Sequence, residues 1–419
     1  MISTRRAGTF YGWRVVSAAF VLAVFGWGMG FYGPPVFLEA VRATRDWPLT
    51  LISAAVTAHF LIGAVMVANL PALYRGFGLA AVTRAGALAL ALGILGWAAA
   101  TSPWQLFAAT ILSGAGWAAT GAAAINAIVS PWFIRNRPAA LAMAYNGASI
   151  GGVLFSPLWV AAIGLVGFPI AAAAIGLVVA LTIWVLSARL FARTPQQLGL
   201  TPDGDAPGGP AVAVVPSRAK PLPRAALWRD VRFLTLAAGM ALGLFAQIGL
   251  LAHLFSLLSP ALGAQQAGLA VGAATAAAIA GRSLVGWLMP VEADRRLVAC
   301  ASYGVQIAGS IAFMAAGGTS VPLLLLGVLL FGVGIGNATS LPPLIAQMEF
   351  VKDDVPRVVS LIVAIGQAAY AFAPAGFGLI REFAPAAIGA NASAALPFFA
   401  TAAVVQALAI GAFLAGRGR

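Results

Sequence analysis

Charge is what this chain has least of. Only 8% of its 419 residues are charged, against roughly 25% in an ordinary soluble domain, while 61% are hydrophobic and the mean hydropathy is +0.96. Such a composition cannot coat a water-soluble globule; it suits a bilayer. Cysteine is reduced to Cys300, which excludes an intramolecular disulfide, and no metal cluster or cofactor is expected. Histidine is reduced to His59 and His253. With no H-E-x-x-H and no catalytic pair at membrane depth, an intramembrane enzyme is not expected. The basic balance, +13 with a pI near 11.3, does not point to nucleic acid, because the basic residues form no cluster interleaved with aromatics.

What is present is long apolar runs. Runs of roughly 20 residues, enough to cross about 30 Å of hydrocarbon, fall near 13–36, 49–74, 79–100, 104–130, 139–164, 168–191, 232–258, 266–290, 297–316, 321–346, 356–380 and 396–415. The start, MISTRRAGTFYGW, sets a basic patch before an apolar run too long for a cleavable signal, and reads as a retained first membrane helix. One long polar stretch, rich in Pro and Gly, separates the sixth run from the seventh and reads as a flexible linker. It is too short for the soluble domain of a sensor or scaffold. The expected organisation is an N-terminal six-helix bundle (1–192), a cytoplasmic linker (193–230) and a C-terminal six-helix bundle (231–419).

Of the 24 Lys and Arg, only Arg42, Arg45 and Arg381 fall on one side of this map and only Arg282 falls deep within a span; the rest lie at or beyond span ends on the other side. The positive-inside rule makes that side cytoplasmic and puts both termini there. The basic pI then needs no anionic macromolecule as partner. The halves also resemble each other: one offset lays Thr57 on Thr275, Gly63 on Gly281 and LSGAG (112–116) on LFGVG (330–334). An offset one residue shorter lays Phe133 on Phe350 and Pro157 on Pro374. Parallel halves of this kind enclose a site at mid-membrane. Arg282 aligns with Ala64, so the charge belongs to one half only.

Arg282, in ATAAAIAGRSLVGW, is the single charge between Arg232 and Glu292. A guanidinium at mid-membrane costs at least ~2.5 kcal/mol and therefore faces a partner, the bundle interior or water. No Asp or Glu lies within any proposed span to pair with it. A substrate carboxylate can supply the missing anion bidentately. The alternative is that Arg282 bonds backbone carbonyls or snorkels to the cytoplasmic face, about 12 Å away over eight residues.

YGWRVV (11–16), DWPLTLISAAVT (46–57), SPWFIRNRPAALAMAYNGASIGG (130–152) and AGRSLVGW (280–287) together resemble the major facilitator superfamily. Within it they are most similar to the bacterial monocarboxylate porter and oxalate/formate exchanger branch. The resemblance spans essentially the whole chain. It implies an all-α membrane protein with twelve transmembrane helices in two six-helix halves, working by alternating access, and makes Arg282 the ligand of the substrate carboxylate. There are departures. LPALYRGFGLAAVTR keeps Arg75 but lacks the aspartate usual after the second helix, Ala278 stands where proton-coupled carriers often place an aspartate, and Ala122 and Ala123 replace a tyrosine and an asparagine.

The expected function is a secondary transporter of a small mono- or dicarboxylate across the bacterial inner membrane, as exchanger or proton symporter, with the lipid bilayer as its other partner and a monomer as its working unit. A drug or metabolite exporter of the same superfamily is the alternative, with organic cations disfavoured by the sign of Arg282. Beside Arg282, the candidate substrate contacts are Tyr32, His59, Asn146, Gln367 and Tyr370. Asn126 and Asn337 are further deep polar groups, and holding helices together is the commoner use of such residues. His59 and His253, the groups titrating near neutrality at depth, are the candidates for proton coupling. The charge map predicts that reporters at the C-terminus or near Pro207 read as cytoplasmic and one near Thr44 as periplasmic; a periplasmic signal from Pro207 would invert the whole assignment.

Overall fold

The computed structural model describes residues 10–45, 47–205, 223–290, 292–388 and 395–418. All regular structure among them is helical. The membrane helices are α1 (Tyr11–Thr44), α2 (Leu51–Phe77), α3 (Leu79–Ala99), α4 (Pro103–Trp132), α5 (Arg137–Val166), α6 (Phe168–Phe191), α7 (Val231–Gly263), α8 (Gln266–Leu288) and α9 (Arg295–Ala316). These are followed by α10 (Val321–Ile335), α11 (Val355–Arg381) and α12 (Leu396–Ala415). All but α10 are long and apolar enough to cross a bilayer. α10 is short because the chain breaks at 336–340 and resumes as the helix Leu341–Glu349, where a single run from 321 to 346 was expected. α1 is longer than expected and broken at Phe31–Tyr32. Its second piece carries Glu39, paired with Arg42 at 3.7 Å and well exposed, so this carboxylate stays away from the bundle interior.

Proline opens several helices. Pro103, Pro138, Pro169, Pro322 and Pro356 sit in first turns, where no helical acceptor awaits their missing N–H. Gly78 and Gly167, both at φ +80°, are the whole connection between α2 and α3 and between α5 and α6. Their backbone conformation is open essentially to glycine alone.

The internal repeat has a packing counterpart. A Cβ on Gly114 would lie 2.3 Å from the His59 carbonyl of α2, and one on Gly116 would lie 2.3 Å from the Leu90 nitrogen of α3. In LFGVG, a Cβ on Gly332 would lie 2.7 Å from the Ala274 carbonyl of α8, and one on Gly334 would lie 2.6 Å from the Ser302 carbonyl of α9. Each pair of glycines lets α4 or α10 seat against the two equivalent helices of its own half. Where the halves meet, α5 faces α8 and α2 faces α11, with Asn146 bonded to Ser283 at 2.8 Å and Gln367 Nε2 to the Phe60 carbonyl at 2.9 Å.

Successive spans alternate in direction, so Arg75, Arg135, Arg137, Arg189, Arg193, Arg229, Arg232, Arg295, Arg296, Lys352 and Arg417 gather on one basic face, and Arg42, Arg45 and Arg381 lie on the opposite one. Carboxylates on the basic face cap helices or pair with arginines. Asp230 accepts from the Arg232 and Phe233 amides at 2.8 and 3.3 Å, and the Arg232 guanidinium beside it holds its carboxyl below the usual carboxylate range. Asp294 caps α9 and pairs with Arg417. Arg296, 2% exposed, binds Glu349 bidentately at 2.6 and 2.8 Å. In the other half, where the loop aspartate is missing, Arg75 lines a cleft of about 450 Å³ with Asp353, Asp354 and Arg357 of the α11 end.

The stretch 206–222, the middle of the expected flexible linker, lies outside the described residues, as do Arg5, Arg6, Asp46 and Arg419. The first part, 193–205, is not a free tether. The Asp203 carboxylate accepts from the backbone amides of Ile134 (2.9 Å), Arg135 (2.9 Å) and Asn136 (3.1 Å), and Asp205 pairs with Arg135. Three convergent amides hold a carboxylate well, so this segment straps the loop that starts α5. Asp203→Ala should cost about 1–2 kcal/mol of local stability, roughly a 5–30-fold rise in opening, read as faster tryptic cleavage after Arg193; unchanged cleavage would show that the strap carries no load.

Candidate substrate site

Between the halves lies a cavity of about 100 Å³. Its walls are largely apolar and aromatic, with Trp27, Phe31 and Trp117 from one half and Met240, Leu244 and Ile335 from the other. The polar side chains lining it are Tyr32, Ser149, Gln247, Arg282, Thr339, Gln367 and Tyr370. No carboxylate lines it among the described residues.

Arg282 is where it is because of glycine. A Cβ on Gly281 would lie 2.3 Å from the Val333 carbonyl and one on Gly336 would lie 2.1 Å from the Ala278 carbonyl, so α8 and α10 touch through their backbones beside the α10 break. The arginine is 5% exposed and six residues from the Leu288 end of α8, about 9 Å along the axis. It does not snorkel. Its Nε donates to the Gly336 carbonyl, and its Nη1 donates to the Tyr145 carbonyl (2.7 Å) and to Asn146 Oδ1 (3.1 Å). Nη2 has no acceptor among the described residues. Backbone carbonyls thus occupy part of the guanidinium, and one nitrogen is left over at a cavity wall.

Of the other candidates, Tyr32, Gln367 and Tyr370 line the same cavity. Tyr370 meets Phe31 and Phe60 edge-on at 5.9 and 5.5 Å. Asn146 is not a lining residue; it stands behind Arg282, accepting from it and donating to Ser283. His59 and His253 are not brought to the cavity. His59, 1% exposed, places Nε2 2.9 Å from the Gly30 carbonyl and Nδ1 2.9 Å from Ser113 Oγ, which also accepts from Trp97 Nε1 at 3.2 Å. A carbonyl only accepts, so Nε2 carries a proton, and in the neutral ring Nδ1 accepts from the serine. The Gly30 carbonyl needs this donor because the residue four ahead is Pro34, which has no N–H. His253 lies in α7 with Nε2 3.1 Å from the Pro374 carbonyl of α11 and its ring 5.5 Å from Phe398.

Asn126 belongs to the basic side of the site rather than to its wall. Gln347 Nε2 donates to Asn126 Oδ1 (3.1 Å) and Ser130 Oγ (3.0 Å), and Gln347 Oε1 accepts from Arg137 Nη1 (3.2 Å). Gln347 belongs to the second half and the other three to the first, so this knot closes the basic side. Asn337 sits in the α10 break with Oδ1 unpartnered and does not line the cavity. The sequence reading missed Gln247, Ser149, Thr339, Gln347 and Ser283. Gln247 was findable, as a lone amide mid-span in α7 like Gln367 in α11; nothing local marks the others.

The family model for the Major Facilitator Superfamily matches residues 11–374. The chain belongs to that superfamily. It is therefore a multi-pass membrane transporter. Among solved structures, the human organic anion transporter MFSD10 (TETRAN) is similar over 96% of this chain and 99% of its own, with a TM-score of 0.68 and 17% identity. At that identity the likeness is one of fold. A search of curated proteins found no significant match.

The His59 geometry makes a testable distinction. His59→Ala leaves the Gly30 carbonyl and the Ser113–Trp97 pair without their partner, so it should cost about 1–3 kcal/mol and lower the melting temperature while substrate affinity holds. Lost affinity at unchanged melting temperature would make His59 a ligand after all.

Proposed function

We propose that this superfamily member carries a small organic anion, a mono- or dicarboxylate, across the bacterial cytoplasmic membrane. It does so by alternating access of the bundles 1–192 and 231–419, with both termini and the 193–230 connection on the cytoplasmic side. The observation that carries this reading is Arg282: a buried guanidinium at the cavity wall, with one nitrogen lacking an acceptor and no carboxylate beside it among the described residues. Desolvated and aimed at a cavity, it favours an anion and repels a cation. The size of the cavity fits a small acid, since drug-sized ligands occupy roughly 300–1,000 Å³. The similarity to an organic anion transporter and the resemblance to the monocarboxylate and oxalate/formate branch point the same way. The basic face is placed inside by the positive-inside rule.

A second reading, an exporter of neutral drugs or metabolites, is favoured by the aromatic walls. The two are separated by a thermal-shift panel of carboxylates, cations and neutral aromatics, followed by transport in liposomes. Arg282→Gln should weaken carboxylate binding by about 2–5 kcal/mol, roughly 30- to 5,000-fold in Kd, and Arg282→Lys should rescue only in part because it lacks the planar fork. Retained carboxylate transport in both variants, or stabilisation by neutral aromatics alone, would reject the anion reading. For coupling, exchange requires substrate on both sides and ignores a pH gradient; symport follows the gradient, and its dependence should vanish in His59→Ala or His253→Ala.

A further inference from the structure

The hydrogen bonds of Arg282 set a condition on how a carboxylate can bind it. A guanidinium offers five N–H groups in a fixed fork, and a carboxylate takes them two at a time along one edge. Bidentate binding through the free Nη2 needs a second nitrogen, either Nη1 or Nε. Both are already engaged, Nη1 with Tyr145 and Asn146 of α5, Nε with Gly336 at the α10 break. Bidentate binding must therefore break one of these contacts.

The two are not equally replaceable. The Gly336 carbonyl stands at the break, where the Ser340 amide that would close a helical turn bonds the Asn337 carbonyl instead, at 3.2 Å; without Arg282 the Gly336 carbonyl is a buried orphan. The Tyr145 carbonyl lies inside the unbroken α5 helix and keeps a helical donor four residues on. Asn146 Oδ1 is on a side chain that can turn. Nη1 is the easier nitrogen to release, and its partners belong to the other half of the molecule.

Resting on the anion reading above, we propose that Asn146 and the Tyr145 carbonyl form, with Ser283, a latch that the substrate opens: in the empty carrier they hold Arg282 Nη1 and tie α5 to α8, and the incoming carboxylate takes the Nη1–Nη2 edge and unties them. The tie lies on the same side of the cavity as the Arg137–Gln347 knot. The empty carrier is thus held shut on its basic side and the loaded one is free to turn. This makes the protein an exchanger by construction, with Asn146 a positioning residue and not a substrate ligand.

The test compares net efflux with exchange in liposomes, using a carboxylate identified by thermal shift. Wild type should exchange far faster than it leaks. Asn146→Ala should raise the ratio of net efflux to exchange about tenfold, the factor of one hydrogen bond to a charged group, with affinity unchanged or tighter. Ser283→Ala, which removes only the anchor of Asn146, should move the ratio the same way and guards against a folding defect in the first variant. An unchanged ratio in both variants overturns the latch. So does affinity lost in Asn146→Ala with exchange still obligatory, which makes Asn146 a ligand. A readout without substrate separates this from failure of the anion reading. In a Cys300→Ala, Ser149→Cys background, labelling by an impermeant maleimide from the basic face should rise when Asn146→Ala is added, whatever the substrate proves to be. No rise refutes the latch, whereas absence of carboxylate binding to wild type refutes only the anion reading.

Discussion

A backbone carbonyl that loses its helical donor inside a bilayer has no water to turn to, and much of this molecule is arranged around that fact. α1 breaks ahead of Pro34, and the carbonyls of Gly28 and Gly30 are met by Trp159 Nε1 (3.2 Å) and His59 Nε2 (2.9 Å). α10 breaks after Ile335, and the Gly336 carbonyl is met by Arg282 Nε. One of the chain's two histidines, and the arginine that lies deep within an apolar run, stand where a helix is interrupted. Both breaks border the cavity, which Phe31, Tyr32, Ile335 and Thr339 line.

Close approach of helices is the second half of the same arrangement. Gly281 and Gly336 bring α8 and α10 into backbone contact, which fixes the distance from Arg282 to the break. On the far side of α5, a Cβ on Gly147 would lie 2.2 Å from the Phe20 carbonyl and one on Gly151 2.4 Å from the Val24 carbonyl. α5 is thereby seated on α1, and its other face presents Tyr145 and Asn146 to Arg282. Without apolar driving force between helices in lipid, such small-residue contacts and the few interhelical hydrogen bonds supply the packing. The cavity and the contacts between halves share one arginine, so what occupies the cavity and the relative freedom of the halves are physically linked.

The basic face is organised differently in the two halves. In the second half Asp294, Arg296, Glu349 and Arg417 form paired charges at helix ends. In the first half, carboxylates come from a distance in sequence and to a different loop, with Asp203 and Asp205 folding back onto 134–136. The loop that starts α5 is thus served by carboxylates beyond α6, while Arg75, in the last turn of α2, shares a cleft with Asp353 and Asp354.

Composition and run length alone determined that the chain crosses a bilayer about twelve times, that its basic flanks share one face, and that Arg282 is the exceptional charge. These properties are local: the length of an apolar run must match the thickness of the hydrocarbon, and an unpaired guanidinium is conspicuous among alanines. The need of the Gly30 carbonyl for a donor was also local, written in Pro34. Which side chain would answer it was not. A membrane helix is apolar on all sides, so its periodicity does not say which face meets which neighbour, and an amide such as Asn146 or Gln347 looks the same whether it touches substrate, stands behind an arginine or closes a gate. Only the tertiary structure decided that His59 is bonded to α1, that Asn146 holds Arg282 from the opposite half, that Gln247 joins the cavity and that residues 193–205 strap the α5 loop, because each depends on contacts between helices far apart in sequence.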